Sequence, residues 1–354
     1  MPVSLTVKDL YKKARSLTGG SPAVRLGESE LFALLLLICR DLRWAPERIG
    51  LPTAASAVPD RNYYLIPENW FLGHADAPDA TGLQEAIEAA LAIETDFGMY
   101  FSNLCSLHKR RLKFRRILGA QPKPTMDQVG TRGLLEYGTY PDRFLFNWLV
   151  WRKWIFDLDN RSGQETGYLF EPVLTRCLGG EAVDAKSSPV KRIGENGEPK
   201  KEGRQIDCYV EEEKLAYEFK IRLTIAASGQ GRWEEELSFP RECVAAGIRP
   251  VLIVLDPTTS NRLVELRDLF ISLGGLVFVG EAAWTHIGER AGHVMASFVD
   301  RYIKPALEAA SDFDTSRFDP IAMAWNDDSV IIRIGEAEHR IDRPIVPTDD
   351  SPCS

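Results

Sequence analysis

Four times in this chain an acidic residue stands two positions before a lysine: Asp184 with Lys186, Glu198 with Lys200, Glu212 with Lys214, and Glu218 with Lys220. On a strand, residues two apart share one face, so the carboxylate can hold a divalent cation while the ammonium stabilises charge developing on a substrate beside it. Context separates the four. Glu198 and Lys200 lie in a Gly/Pro-containing loop and Glu212 and Lys214 in a charged turn, whereas Glu218 and Lys220 sit in LAYEFKIRL. There Leu215, Tyr217, Phe219, Ile221 and Leu223 alternate with Ala216, Glu218, Lys220 and Arg222, so an apolar floor carries a polar row. Asp184 and Lys186 remain the rival pair, without an acidic partner in an evident hairpin.

The preceding stretch alternates in the same way, with Ile206, Cys208 and Val210 on one face and Gln205, Asp207 and Tyr209 on the other. If Glu212 and Glu213 form a two-residue turn, Glu211 pairs with Lys214 and Asp207 falls opposite Glu218, their Cβ atoms roughly 5 Å apart. Two carboxylates that close repel unless a divalent cation sits between them. Oxygen ligands of this kind suit Mg²⁺, which keeps several waters and binds substrate phosphate. Lys220 on the same face can orient or deprotonate an attacking water and stabilise charge on phosphorus. That set is a hydrolytic phosphodiesterase centre. The competing reading is a solvated hairpin face with Glu218 and Lys220 as an exposed ion pair worth little.

An Asp, a ten-residue gap and Glu-x-Lys in a hairpin, with a helical glutamate before and an α/β unit after, resembles the PD-(D/E)XK nuclease fold of Type II restriction endonucleases. In detail YEFKIRLT, SGQGRWEEEL, PVLIVLDPT and GGLVFVG are similar to the ApaLI-like restriction family, over Glu171 to about Gly280. The resemblance implies an α/β fold: a PD-(D/E)XK restriction-endonuclease-like core with a mixed central sheet flanked by helices, preceded by a large N-terminal helical region. It implies Asp207 and Glu218 with Phe219 as the Mg²⁺ ligands, Lys220 as the catalytic lysine, and Glu171 as an acid approaching the metal directly or through water. Water would attack phosphorus in line, leaving a 5′-phosphate and a 3′-hydroxyl. The substrate would be double-stranded DNA at a short palindromic site, the enzyme a homodimer, and its functional partner a cognate DNA methyltransferase. Ile206 stands where the superfamily name has proline, and Glu165, a turn and a half before Glu171, is its rival; either could be only a helix-start charge. Alternatives are a structure-selective repair or junction-resolving nuclease of the same fold, or a catalytically silent DNA-binding protein.

The elements that must position these residues come from 354 residues, enough for two small cores or one decorated core. Apolar residues at 44% with 27% charged exclude wholesale disorder, and 43 Lys and Arg against 51 Asp and Glu, a formal −8, exclude coating of nucleic acid by bulk charge. The sequence lacks G-x-x-x-x-G-K-[ST], G-x-S-x-G and H-E-x-x-H, and its five histidines are scattered. Six cysteines without a C-x-x-C pair read as reduced thiols, and with no apolar N-terminal leader the expected location is cytoplasmic.

Three parts are expected: helical residues 1–160 for DNA contact or dimerisation, a catalytic core at 161–309, and a C-terminal hairpin and tail at 310–354. Within the first, one helix covers Glu28 to Arg43, a long helical pattern runs from Gly82 to about Leu118, and aromatics crowd Asp142 to Leu158. A short helix through Glu171 should stop at Gly179 and Gly180, and Ser187 to Gly203 reads as a mobile loop. Strands are expected at Arg204 to Val210, Leu215 to Leu223, Pro250 to Leu255 and Leu276 to Val279, the last two parallel around a helix at Asn261 to Leu273. Beyond a last helix to about Ala309, a hairpin should turn at Gly335-Glu336. Candidate DNA contacts are the basic helix Lys109, Arg111, Lys113, Arg115 and Arg116, the loop residues Lys186, Lys191, Arg192 and Arg204, and Gln230 and Arg232 after the catalytic strand.

Overall fold

A computed structural model describes residues 6–16, 23–53, 57–129, 142–194, 197–220, 230–256, 260–305, 319–326 and 328–343. The chain divides into two compact units, Met1–Thr166 with Ala306–Ser354, and Gly167–Pro305. The described strands beyond residue 319 group with the N-terminal helices.

The first unit holds α1 (Val7–Arg15), α2 (Glu28–Leu42), α3 (Glu68–Leu72), α4 (Ala80–Ile93), α5 (Phe97–Ala120), α6 (Met126–Val129) and the start of α7 (Asp142–Cys177). Its centre is α2, whose Leu31 to Cys39 are at most 1% exposed, as an all-round apolar run requires. Glu30 caps this helix by accepting the Gly27 N–H at 2.7 Å, and Arg43 ends it in the left-handed region at φ 57. The pattern expected to be continuous from Gly82 is two helices, because Glu94 turns extended (φ −146, ψ 114). Gly98 then lets α5 lie against α4: a Cβ there would come 3.1 Å from Leu91 Cδ2. Three antiparallel strands, β8 (Ile321–Trp325), β9 (Ser329–Ile334) and β10 (Ala337–Asp342), complete the unit, one more than the expected hairpin. Trp325 stacks on Trp151 of α7 with centroids 3.8 Å apart, which ties these strands to the helices.

The second unit is mixed α/β. Its sheet runs β1 (Glu181–Val183), β4 (Ile206–Val210), β5 (Leu215–Lys220), β6 (Arg249–Val254), β7 (Leu276–Val279) in spatial order. The first two junctions are antiparallel and the last two parallel. The parallel junctions need long crossovers, supplied by α8 (Gln230–Ala245) and α9 (Asn261–Ser272), and α10 (Glu281–Arg290) and α11 (His293–Phe298) follow. Residues Val251 to Val254 are wholly buried, as continuous apolar strands between layers must be. Phe239 and Cys243 of α8 and Leu263, Leu266 and Phe270 of α9 share one core with Ile206, Ala216, Leu252 and Val254.

Two expectations fail here. The aromatic stretch and the short helix through Glu171 are one 36-residue helix, α7, which carries Pro172 inside near its C-terminal end and stops where Gly179 takes φ 74. Gly180 then passes so close to β4 that a Cβ would sit 2.5 Å from Cys208 Sγ. Ser187 to Gly203 is not merely a loop, since β2 (Lys191–Ile193) and β3 (Pro199–Gly203) pair antiparallel within it. What holds this hairpin is a buried ion pair: Arg204 Nε donates to Glu242 Oε2 at 2.6 Å, while Glu242 Oε1 accepts the Ile193 N–H at 3.0 Å.

Removing one partner strands the other charge in the core, so Arg204→Ala or Glu242→Ala should each destabilise the protein by about 3–5 kcal/mol, read from urea denaturation. The double change Arg204→Met with Glu242→Leu should recover most of that loss. Single variants as stable as the wild type would show that the pair does not pin the hairpin.

Candidate active site

The β4–β5 hairpin brings the candidate residues together. Paired residues run from Val210 with Leu215 to Cys208 with Tyr217, the register expected from a Glu212-Glu213 turn, and Lys214 N–H closes that turn on Glu211 O at 3.2 Å. At Asp207 the side chain replaces the ladder: its Oδ2 accepts the Phe219 N–H at 2.8 Å. Thr175 of α7 donates to the Asp207 carbonyl at 3.0 Å, which fixes the end of that helix, and Glu171 with it, against β4. Alternation then does the rest, with Tyr217 and Phe219 buried while Glu218 and Lys220 keep side-chain exposures of 23% and 19%.

The carboxylates act on one another. Burial, then the charge of Glu218, raises Asp207 well above the usual carboxylate range, with Glu171 adding and the Phe219 N–H and Lys220 opposing. Glu171 is raised by burial and by Glu218, with Lys220 opposing. Lys220 Nζ lies 3.0 Å from Glu218 Oε1 and 3.2 Å from Glu236 Oε1. Burial alone would lower its ammonium, but Glu218, Glu236 and Asp207 outweigh it and hold Lys220 above its ordinary value. Lys220 in the metal-free site is thus held as an ammonium, suited to charge stabilisation and orientation of a water.

The donor set fits a hard, hydrated divalent cation. Asp207 and Glu218 are repelling carboxylates whose shared charge a cation would neutralise, and Glu171 is near enough to feel Glu218. Among the described residues no group of three or more His, Cys, Asp or Glu side chains encloses an ion by itself, so waters would complete the shell. Phe219 has its ring buried and its N–H taken by Asp207, which leaves only its carbonyl as a donor. The rival pair Asp184 and Lys186 is exposed beside a turn.

The structure places five of the eleven expected phosphate contacts elsewhere. Lys109 is 6% exposed, with Nζ donating to the Lys13 carbonyl at 2.9 Å, and Lys113 is 2% exposed. Arg111 donates to the carbonyls of Tyr63, Tyr64 and Ile66. These cations hold the helical unit together, because α5 is packed on several sides where a solvated basic face was expected. Arg204 is buried on Glu242, and Arg192 pairs with Glu235 at 2.9 Å. Lys186 is exposed and Lys191 half-buried, and the exposed Lys200 and Lys201 follow on β3. Arg115, Arg116, Gln230 and Arg232 have side chains outside the described residues. Five cysteines, Cys39, Cys105, Cys177, Cys208 and Cys243, are buried free thiols, and among the described residues no helix is long and apolar enough to cross a membrane.

Glu236 was not singled out from the sequence. The signal was there: in WEEEL it lies three residues after Trp233 and one before Leu237, both packed on the core, so it borders the buried face of α8. Its neighbour Glu235 points to Arg192 instead.

Residues 69–304 match the family model described as ApaLI-like restriction endonuclease. The chain is 42% identical over 292 residues to the Type II restriction enzyme ApaLI of Acetobacter pasteurianus, covering 81% of this chain and 77% of that one. No solved structure matches.

The raised Asp207 sets a sign. An unfolded Asp titrates near 4, so between that value and the raised folded one the native protein binds more protons than the unfolded chain, and stability falls as pH rises through that window. Asp207→Asn removes the penalty and can keep the Phe219 contact, so metal-free protein in EDTA should melt several degrees higher at pH 7.5. The gain should shrink as the pH falls towards the usual carboxylate range. A lower melting temperature at pH 7.5 would mean that Asp207 stabilises the fold as a carboxylate.

Proposed function

The chain belongs to the ApaLI-like restriction endonuclease family, and we propose that it is a Type II site-specific deoxyribonuclease with a PD-(D/E)XK core. It hydrolyses phosphodiester bonds of double-stranded DNA at a short palindromic site, depends on Mg²⁺, and leaves 5′-phosphate ends. The observation that carries this reading is the row formed by Asp207, Glu218 and Lys220, with two mutually repelling carboxylates beside an ammonium on a rigid buried sheet.

Asp207 and Glu218 would hold Mg²⁺, with the Phe219 carbonyl as a further donor and Glu171 reaching it through water. Bound there, Mg²⁺ supplies charge neutralisation of the scissile phosphate and promotes ionisation of water. The Lys220 ammonium stabilises the charge that builds on the phosphoryl oxygens as water attacks in line. The proton released goes to solvent, and the 3′ oxygen leaves with a proton taken from solvent water. Exposed Lys186, Lys200 and Lys201, with Lys191, offer phosphate contacts on the chain leading into β4. A palindromic site suits a homodimer, and the exposed Trp148, Ile155 and Phe156 of α7 give an apolar surface for it. Activity of this kind in a cytoplasm requires a cognate DNA methyltransferase to protect the host sites.

Purified protein incubated with unmethylated phage DNA and Mg²⁺ should yield discrete bands, absent with EDTA. Asp207→Ala, Glu218→Ala and Lys220→Ala should each lower cleavage by about a thousandfold while circular dichroism stays native. A variant cutting at the wild-type rate removes that residue from the site. Cleavage confined to branched junctions would replace the reading by a structure-selective nuclease, and metal-indifferent DNA binding without cleavage by a silent binder.

A further inference from the structure

Glu236 has a place in the site that the two carboxylates and the lysine do not explain. Its Oε1 lies 3.2 Å from Lys220 Nζ, on the side of the ammonium supplied by α8, while Glu218 Oε1 holds the same ammonium at 3.0 Å from within β5. Its Oε2 is buried and has no hydrogen-bond partner among the described residues, in a side chain only 17% exposed. A buried, unsatisfied carboxylate oxygen costs stability and is kept where another constraint requires the group. The other acids of α8 in contact with cations have evident structural duties: Glu235 pairs with Arg192, and Glu242 with Arg204. Glu236 alone of these turns towards Lys220.

Lys220 thus has two acidic anchors with different obligations. Glu218 is also a candidate cation ligand, and a carboxylate drawn to a divalent cation holds an ammonium less firmly. Glu236 belongs to a different element and is not one of the facing pair. We propose that Glu236 is a positioning residue, which keeps the Lys220 ammonium aimed at the substrate phosphate when Glu218 is engaged by the divalent cation. This rests on the nuclease reading for its consequence in catalysis, though not for the anchoring itself.

Glu236→Ala should lower the single-turnover cleavage rate about 10- to 100-fold, the effect of a displaced catalytic group. DNA affinity measured in Ca²⁺, and Ca²⁺ affinity of the free protein by calorimetry, should stay within about threefold of wild type, since neither binding step uses Glu236. Glu236→Gln, whose amide oxygen still accepts from Nζ, should recover most of the rate. In a Lys220→Ala background Glu236→Ala should add nothing, because the two act as one unit. Independently of activity, reductive methylation of metal-free protein should label Lys220 several-fold faster in Glu236→Ala. Unchanged labelling, additive loss in the Lys220→Ala background, or a Ca²⁺ affinity that collapses with Glu236 would each overturn the proposal, the last by making Glu236 a ligand. If the wild type cuts no DNA, the nuclease reading falls and the labelling result still decides the anchoring.

Discussion

Asp207 and Glu218 stand on neighbouring antiparallel strands, and burial together with the charge of Glu218 raises the cost of ionising Asp207. Nothing in the hairpin relieves this completely. The Phe219 N–H satisfies one oxygen of Asp207, and Lys220 sits beside Glu218, yet Asp207 remains well above its ordinary range. The surrounding structure is what imposes the arrangement. Tyr217 and Phe219 are buried in the layer below, β5 is clamped between β4 and β6, and Thr175 ties α7 to the Asp207 carbonyl. A slip of one residue in this register would turn the polar row into the core, so the apolar floor fixes the carboxylates as firmly as it fixes the fold.

The site was legible because it is local. Alternation in LAYEFKIRL and a charged turn suffice to set the Asp207–Glu218 register, and both depend on residues close in sequence. Strands such as Leu276–Val279 and the helix at Asn261–Ser272 were legible for the same reason, with a continuous apolar run in one and an apolar period closed by Gly274 in the other.

What was hidden depends on contacts distant in the chain. Lys109 and Arg111 look like a basic surface in HKRRLKFRR, but their partners are carbonyls of α1 and of residues 63 to 66, nearly fifty or a hundred positions away, and Lys113 beside them is buried. The β2–β3 hairpin reads as a polar loop until Glu242 of α8 supplies the buried counterion for Arg204. Pro172 suggests a helix start, and only packing of the last turns of α7 on β4 reveals that it lies inside one long helix. Glu236 is visible as one glutamate of three, and its direction is set by how α8 docks on the sheet. Several of the basic residues thus serve internal structure, which fits a formal −8 chain whose phosphate contacts must be few and local.

The most direct measurement is anomalous diffraction from crystals grown with Mn²⁺ in place of Mg²⁺. A single strong peak within ligating distance of both Asp207 and Glu218, with Lys220 beside it and not in contact, is the expected result. Ordered Mn²⁺ bound elsewhere, at Asp184 for instance, with the Asp207–Glu218 pair bridged only by Lys220 or by a shared proton, would contradict the claim that a divalent cation is the reason these carboxylates are held together.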